Sequence, residues 1–235
     1  MLLSRTRLFE SPETKKMLNA IRRKIELPLL GGRKSRLKTT YANFKGAKSY
    51  EGKEALVGTL LDCIETRHLA SVTYLAAKAV EPKTYDIESY TLVEHGHSLY
   101  VIVAVPKHNR DIRILAVDRI IALKKSDTVR FTLPESFDPE NYLNPSFGIF
   151  IEEPNRVVVR FTADSAIYGR ERTWGQEQTI ETNPDGSMIL SFTAAGRDEI
   201  KRWILSYGSG AQALEPAELV REVAREIREM NILYQ

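Results

Sequence analysis

Tyr85-Asp86-Ile87-Glu88-Ser89-Tyr90-Thr91-Leu92-Val93-Glu94-His95-Gly96-His97-Ser98-Leu99-Tyr100-Val101-Ile102-Val103-Ala104-Val105 reads as two strands joined by a turn. Its apolar residues alternate with polar ones or run together over short lengths, the patterns of half-buried and fully buried strands. Glu94-His95-Gly96-His97 interrupts them, and Gly96 supplies the positive φ that a tight hairpin needs. Strands over 85–93 and 98–105 follow. Upstream, 70–76 reads as a strand, and downstream 111–122 and 128–133 read as two more. A helix from Glu51 to near His68 precedes them, with Leu56, Leu60, Cys63 and Ile64 on one stripe. One helix and five short strands predict a small, strongly bent barrel of the Sm/SH3 kind, closed so that its edges are protected.

The residues after Leu133 predict a second unit. Pro, Asp and Asn crowd 134–147 and mark a boundary. Strands are expected over 157–162 and 173–182, then a turn at Asn183-Pro184-Asp185-Gly186 into a strand over 187–192. Ile200, Trp203, Ile204 and Tyr207 share a helical face that stops at Gly208. Pro216 opens a last helix whose Leu219, Val223 and Ile227 recur at helical spacing. The fold class is therefore α+β. Its expected parts are a helical linker over 1–50, a barrel domain over 51–133 and a compact α+β domain over 134–235. In the linker, Met17, Ile21 and Ile25 predict a helix over 13–25, ahead of the helix-breaking Pro28 and Gly31-Gly32.

Charge is uneven along the chain. Residues 1–53 hold 14 Lys/Arg against 4 Asp/Glu, and the remainder 20 against 27. The basic block, with Arg22-Arg23-Lys24 and Arg33-Lys34-Ser35-Arg36-Leu37-Lys38, reads either as a phosphate-tracking segment or as a solvated linker. No apolar run is long enough to span a membrane, and the N-terminus is charged too early for a signal peptide. The single cysteine, Cys63, forms no internal disulfide and sits on an apolar helical stripe, so it reads as core. A cytoplasmic location is expected.

Residues suited to catalysis are scarce. Four scattered histidines make no metal cage, and Gly208-Ser209-Gly210 lacks the setting of a nucleophile elbow. No Gly-rich phosphate loop and no spaced carboxylate pair stands out. The chain is therefore expected to be no enzyme and to need neither cofactor nor metal. Lys83, Lys107, Arg110, Arg113 and Arg119 instead interleave with Tyr74, Tyr85, Tyr90 and Tyr100. Guanidiniums beside aromatic faces suit single-stranded nucleic acid or a nucleotide, since Arg grips phosphate and rings stack on bases. Arg113 and Arg119, six apart on one expected strand, would point the same way. Surface ion pairs are the competing reading.

These residues also resemble the WYL-domain regulators. His97-Ser98-Leu99-Tyr100-Val101 is similar to the strand that carries the family's Trp-Tyr-Leu, with Tyr100 alone literal. Arg113-Ile114-Leu115-Ala116-Val117-Asp118-Arg119-Ile120 resembles its Arg-x-Phe-x-Leu-Asp-Arg-Ile segment, and Val72-Thr73-Tyr74 its first barrel strand. Beyond the boundary, 142–149, Val158-Val159-Arg160-Phe161, Arg172-Thr173-Trp174 with Gln178, Asp185-Gly186-Ser187, 199–208 and 214–219 resemble, in order, the family's C-terminal extension.

The resemblance implies an Sm-like barrel that senses an effector and an extension that helps form a homodimer. On the leading reading Arg113 and Arg119 would hold phosphate, Tyr74 and Tyr100 would shape or stack in the pocket, and Lys83 would add charge. Arg160 and Arg172, with Trp174, would complete the surface from the second domain, or serve packing. For Tyr100, Trp174 and Trp203 core packing is the alternative. Asp86 and Glu88 stand where the family often carries an arginine-containing segment, and they are expected to weaken phosphate binding. Relatives usually begin with a winged helix-turn-helix. Nothing in 1–50 reads as one, so promoter DNA would be reached through a head this chain lacks. A purely structural oligomerisation module is the rival reading.

Overall fold

The computed structural model describes Lys48 and residues 50–235. The basic block, the helix expected over 13–25 and nearly all of the 1–50 linker lie outside the described residues. The chain divides into two compact units that meet in sequence between Pro134 and Glu135.

In the first unit, α1 (Glu54–Thr66) buries Val57, Leu60 and Cys63, and it ends where Arg67 takes a left-handed conformation. Five strands follow: β1 (His68–Tyr74), β2 (Lys83–His95), β3 (Ser98–Val105), β4 (Asp111–Ala116) and β5 (Ile120–Arg130). They form one antiparallel sheet in the order β4-β3-β2-β1-β5. The β2–β3 hairpin closes on Gly96 and His97 at φ 54° and 61°, the double positive φ of a type I′ turn. Leu99, Val101, Val103 and Val105 point inward from β3 and meet Leu60 and Cys63 of α1 in the core.

The fourth and fifth strands do not break where the sequence suggested. A 3-10 turn over Val117–Arg119 ends β4 and starts β5, so 111–122 is not one strand. This short corner shapes the sheet. β4 and β5 lie at opposite edges, about 19 Å apart if five strands lay flat. Four residues from Ala116 to Ile120 reach at most about 14 Å. The sheet must therefore curl until its edges approach. Among the described residues no ladder joins β4 to β5, so the curl stops short of the closed barrel that was expected.

Two lysines pin the corner. Lys53 Nζ donates to the carbonyls of Asp118 (2.6 Å) and Ile120 (3.1 Å), and Lys48 Nζ reaches the Asp118 carboxylate at 2.6 Å. Tyr50 is buried beside them, and its hydroxyl oxygen accepts the Leu99 N–H at 2.6 Å.

The second unit starts with a one-turn helix, α2 (Pro139–Leu143), capped by the Asp138 side chain. Then come β6 (Asn155–Phe161), α3 (Ala163–Arg170), β7 (Gln176–Thr182), β8 (Met188–Ala194), α4 (Arg197–Leu205), β9 (Ala211–Glu215) and α5 (Ala217–Leu233). The antiparallel order β7-β8-β6-β9, after a β-α-β-β-α-β sequence, is the split β-α-β arrangement. Neither α3 nor β9 was expected from the sequence. The first buries only small residues, Ala166 and Gly169, and so shows no apolar stripe; the second is a five-residue edge strand that buries Ala213 alone.

Candidate ligand mouth of the curled sheet

Cross-strand register sorts the candidate residues onto two faces of the first sheet. On β4, Leu115 lies opposite Val101 and Arg113 opposite Val103, so both share the inner face with the core residues of β3. On the other side of the curl, Val72 lies opposite Tyr85 and Tyr74 opposite Lys83. Tyr74 and Tyr85 pack against the same core. Arg113, Tyr74, Tyr85 and Lys83 therefore line one inner rim.

Their electrostatics show mutual proximity. Burial raises the Tyr85 pKa above the ordinary phenol value; the Tyr74 hydroxyl adds to this and the Arg113 guanidinium opposes it. The Tyr74 hydroxyl oxygen also accepts the Ala116 N–H at 3.3 Å, which ties the rim to the corner. Arg113 Nε donates to Asp111 Oδ2 at 3.0 Å, with both side chains largely in water. An ion pair this exposed contributes little and is readily exchanged for a ligand's phosphate.

The remaining candidates stand elsewhere. Tyr100 lies opposite Val93 and Ala116, so alternation points its ring to the outer face, away from Arg113. Arg119 is exposed on the corner, and its carbonyl accepts the Leu75 N–H at 3.2 Å. Arg113 and Arg119 thus belong to different elements, and the six-residue spacing that aligned them on one strand does not apply. Asp86 and Glu88 alternate with the inner-facing Tyr85 and Ile87, so both acids turn away from the rim. Glu88, 3% exposed, is also neutralised by Arg110 at 3.0 Å. The expected weakening of phosphate binding by these acids loses its geometric basis.

Arg160 and Arg172 belong to the second unit. Arg160 is exposed on β6, 3.9 Å from Asp185. Arg172 lays its guanidinium 5.8 Å from the Trp174 ring centre. Trp174 and Trp203, with ring centres 4.5 Å apart, join Phe147, Phe161, Phe192 and Tyr207 in one aromatic cluster, as the packing alternative for both held. A cleft in the second unit carries Glu152, Glu153 and Glu218 against Arg197 among its charged lining residues, a balance that disfavours phosphate. No group of His, Cys, Asp and Glu suited to a metal ion occurs among the described residues.

The sequence reading passed over two contributors. Tyr85 was one tyrosine among several until register placed it beside Tyr74. Asp118 carried no signal of its own role, because its partners Lys48 and Lys53 lie 70 and 65 residues away.

Comparison with known proteins fits this geometry. The WYL domain profile matches residues 55–125, which hold α1 and the curled sheet, and the WCX domain profile matches residues 153–230. The chain carries a WYL domain followed by a WCX domain. No curated protein matches it. Among solved structures it is similar to proteasome accessory factor B/C of Arthrobacter aurescens, at 15% identity and a TM-score of 0.35, over 81% of this chain and 28% of that one. It is also similar to a CRISPR Cas-related protein, at 12% identity and a TM-score of 0.51, over 79% of this chain and 52% of that one. The second likeness supports the fold. The chain thus spans about a quarter and about half of the lengths of these two structures.

Within the WYL unit, Leu99, Tyr100 and Val101 occupy the positions of the family's Trp-Tyr-Leu. Leu99 and Val101 are 2% and 0% exposed on the inner face, so both replacements keep the core apolar. The rim formed by Tyr74, Lys83, Tyr85 and Arg113 opens on that same face.

Proposed function

We propose that the WYL unit is the effector-sensing part of a transcription regulator and takes single-stranded nucleic acid or a nucleotide at its inner rim. One observation supports this reading: Arg113 shares the inner face with Tyr74, Tyr85 and Lys83 by strand alternation, and its charge is felt at the Tyr85 hydroxyl. Arg113 would grip phosphate, Tyr74 and Tyr85 would flank a base, and Lys83 and Arg119 would add charge at the margin. Arg160 and Arg172 would give the WCX unit a basic surface of its own, and Tyr100 would act from the outer face as packing. The role is binding without catalysis and without a cofactor, in the cytoplasm.

Fluorescence anisotropy with labelled single-stranded and duplex oligonucleotides tests the reading. Arg113→Ala should weaken single-strand binding by about 1–3 kcal/mol, and affinity should fall steeply with salt. Thermal stability should barely change, because the Asp111 partner is exposed. Unchanged affinity in a folded Arg113→Ala protein removes the assignment.

A specific feature favours self-association as a second reading. The buried stripe of α5, Leu219 and Val223, continues through Ile227 and Met230, which are 52% and 44% exposed. A second copy of the chain would cover that continuation and form a homodimer.

A further inference from the structure

We propose that Asp118 is a positioning residue that ties the inner rim of the WYL sheet to Lys48. An anionic ligand drawn onto Arg113 and Arg119 would then be felt at Lys48. The ligand in this inference rests on the reading above; the linkage itself stands on geometry alone.

Each connection is a hydrogen bond. From the rim, the Tyr74 hydroxyl holds the Ala116 N–H and the Arg119 carbonyl holds the Leu75 N–H, so the last residue of β1 and its successor grip both sides of Val117-Asp118. Asp118 itself is gripped from the N-terminal side, its carbonyl by Lys53 and its carboxylate by Lys48. Lys48 has a second anchor, its N–H donating to the His97 carbonyl of the β2–β3 hairpin at 3.3 Å. Residue 48 thus bridges the hairpin and the corner.

Asp118 Oδ2 is bonded to Lys48, and Oδ1 is buried with no hydrogen-bond partner among the described residues. Arg119 is the adjacent residue and is exposed to incoming phosphate. A ligand that moves Arg119 moves the peptide carrying Asp118, and the Lys48 bond must follow or break.

Amide hydrogen exchange by NMR on the full chain tests the linkage without ligand. Lys48→Ala should speed exchange of the Leu75 and Ala116 amides by about fivefold or more, although neither residue touches Lys48. Lys48→Arg should restore slow exchange, and Asp118→Asn should reproduce the fast exchange with no further effect from adding Lys48→Ala. Unchanged Leu75 and Ala116 exchange in both Lys48→Ala and Asp118→Asn overturns the proposal, as does full additivity of the two substitutions. A further arm adds a short single-stranded oligonucleotide. Failure of the wild type to bind it counts against the nucleic-acid reading, while the ligand-free exchange decides the linkage separately.

Discussion

His68 sits buried at the start of β1 with its protons assigned by its neighbours. The Thr66 hydroxyl donates to the Asp62 carbonyl at 2.6 Å and so accepts from His68 Nδ1 at 2.7 Å. His68 Nε2 accepts from Arg130 Nε at 3.2 Å. The ring is therefore neutral, and a second proton would sever the Arg130 bond. Burial lowers the His68 pKa below its ordinary value, and Lys125 and Arg130 lower it further. The unfolded chain then binds a proton that the fold refuses. Stability should fall as pH drops below about 6.5, the unfolded value, and level off below the folded pKa. Melting temperatures from pH 7.5 to 5 should show this slope, and His68→Gln should flatten it. Tyr74 permits a cleaner subtraction. Tyr74→Phe keeps the ring but leaves the buried Ala116 N–H without its acceptor, and should cost about 0.5–1.5 kcal/mol in urea unfolding.

Among the elements, α4 shows how one side chain fixes a loop. Glu199, in its first turn, accepts the N–H groups of Ile149 (3.2 Å) and Phe150 (3.4 Å). Gly148 is glycine because a Cβ there would meet the Glu199 carboxylate. Gly148→Ala should displace that carboxylate, free both N–H groups and cost about 1–3 kcal/mol, measurable by denaturant unfolding. The β2–β3 hairpin, β8 and both final helices were legible from the sequence, because alternation, a turn glycine and a 3.6-residue stripe are local signals. The β4–β5 corner was not. Val117-Asp118-Arg119 is apolar and charged like the strands around it, and what bends it there is a pair of lysines distant in sequence.

At the scale of the molecule, each unit owns its core, and the apolar stripe of α5 outruns the core it serves. Ile227→Glu with Met230→Glu should shift a dimer to monomer in sedimentation while leaving the melting temperature of each unit nearly unchanged. A dimer that persists in this variant removes the α5 continuation as its interface. The α+β class, the places of most strands and helices, the WYL and WCX resemblance and the residue types suited to phosphate are all written in short-range pattern. Which of those residues share a face depends on how distant strands pair. Strand alternation turned Tyr100, Asp86 and Glu88 outward, and the break at Val117–Arg119 took Arg119 off the strand of Arg113. Register brought Tyr85 to Tyr74 and Arg113. A one-residue slip in pairing reverses every side chain of a strand, and register is set by partners far along the chain. The composition of the rim was therefore legible in the sequence, and its membership was not.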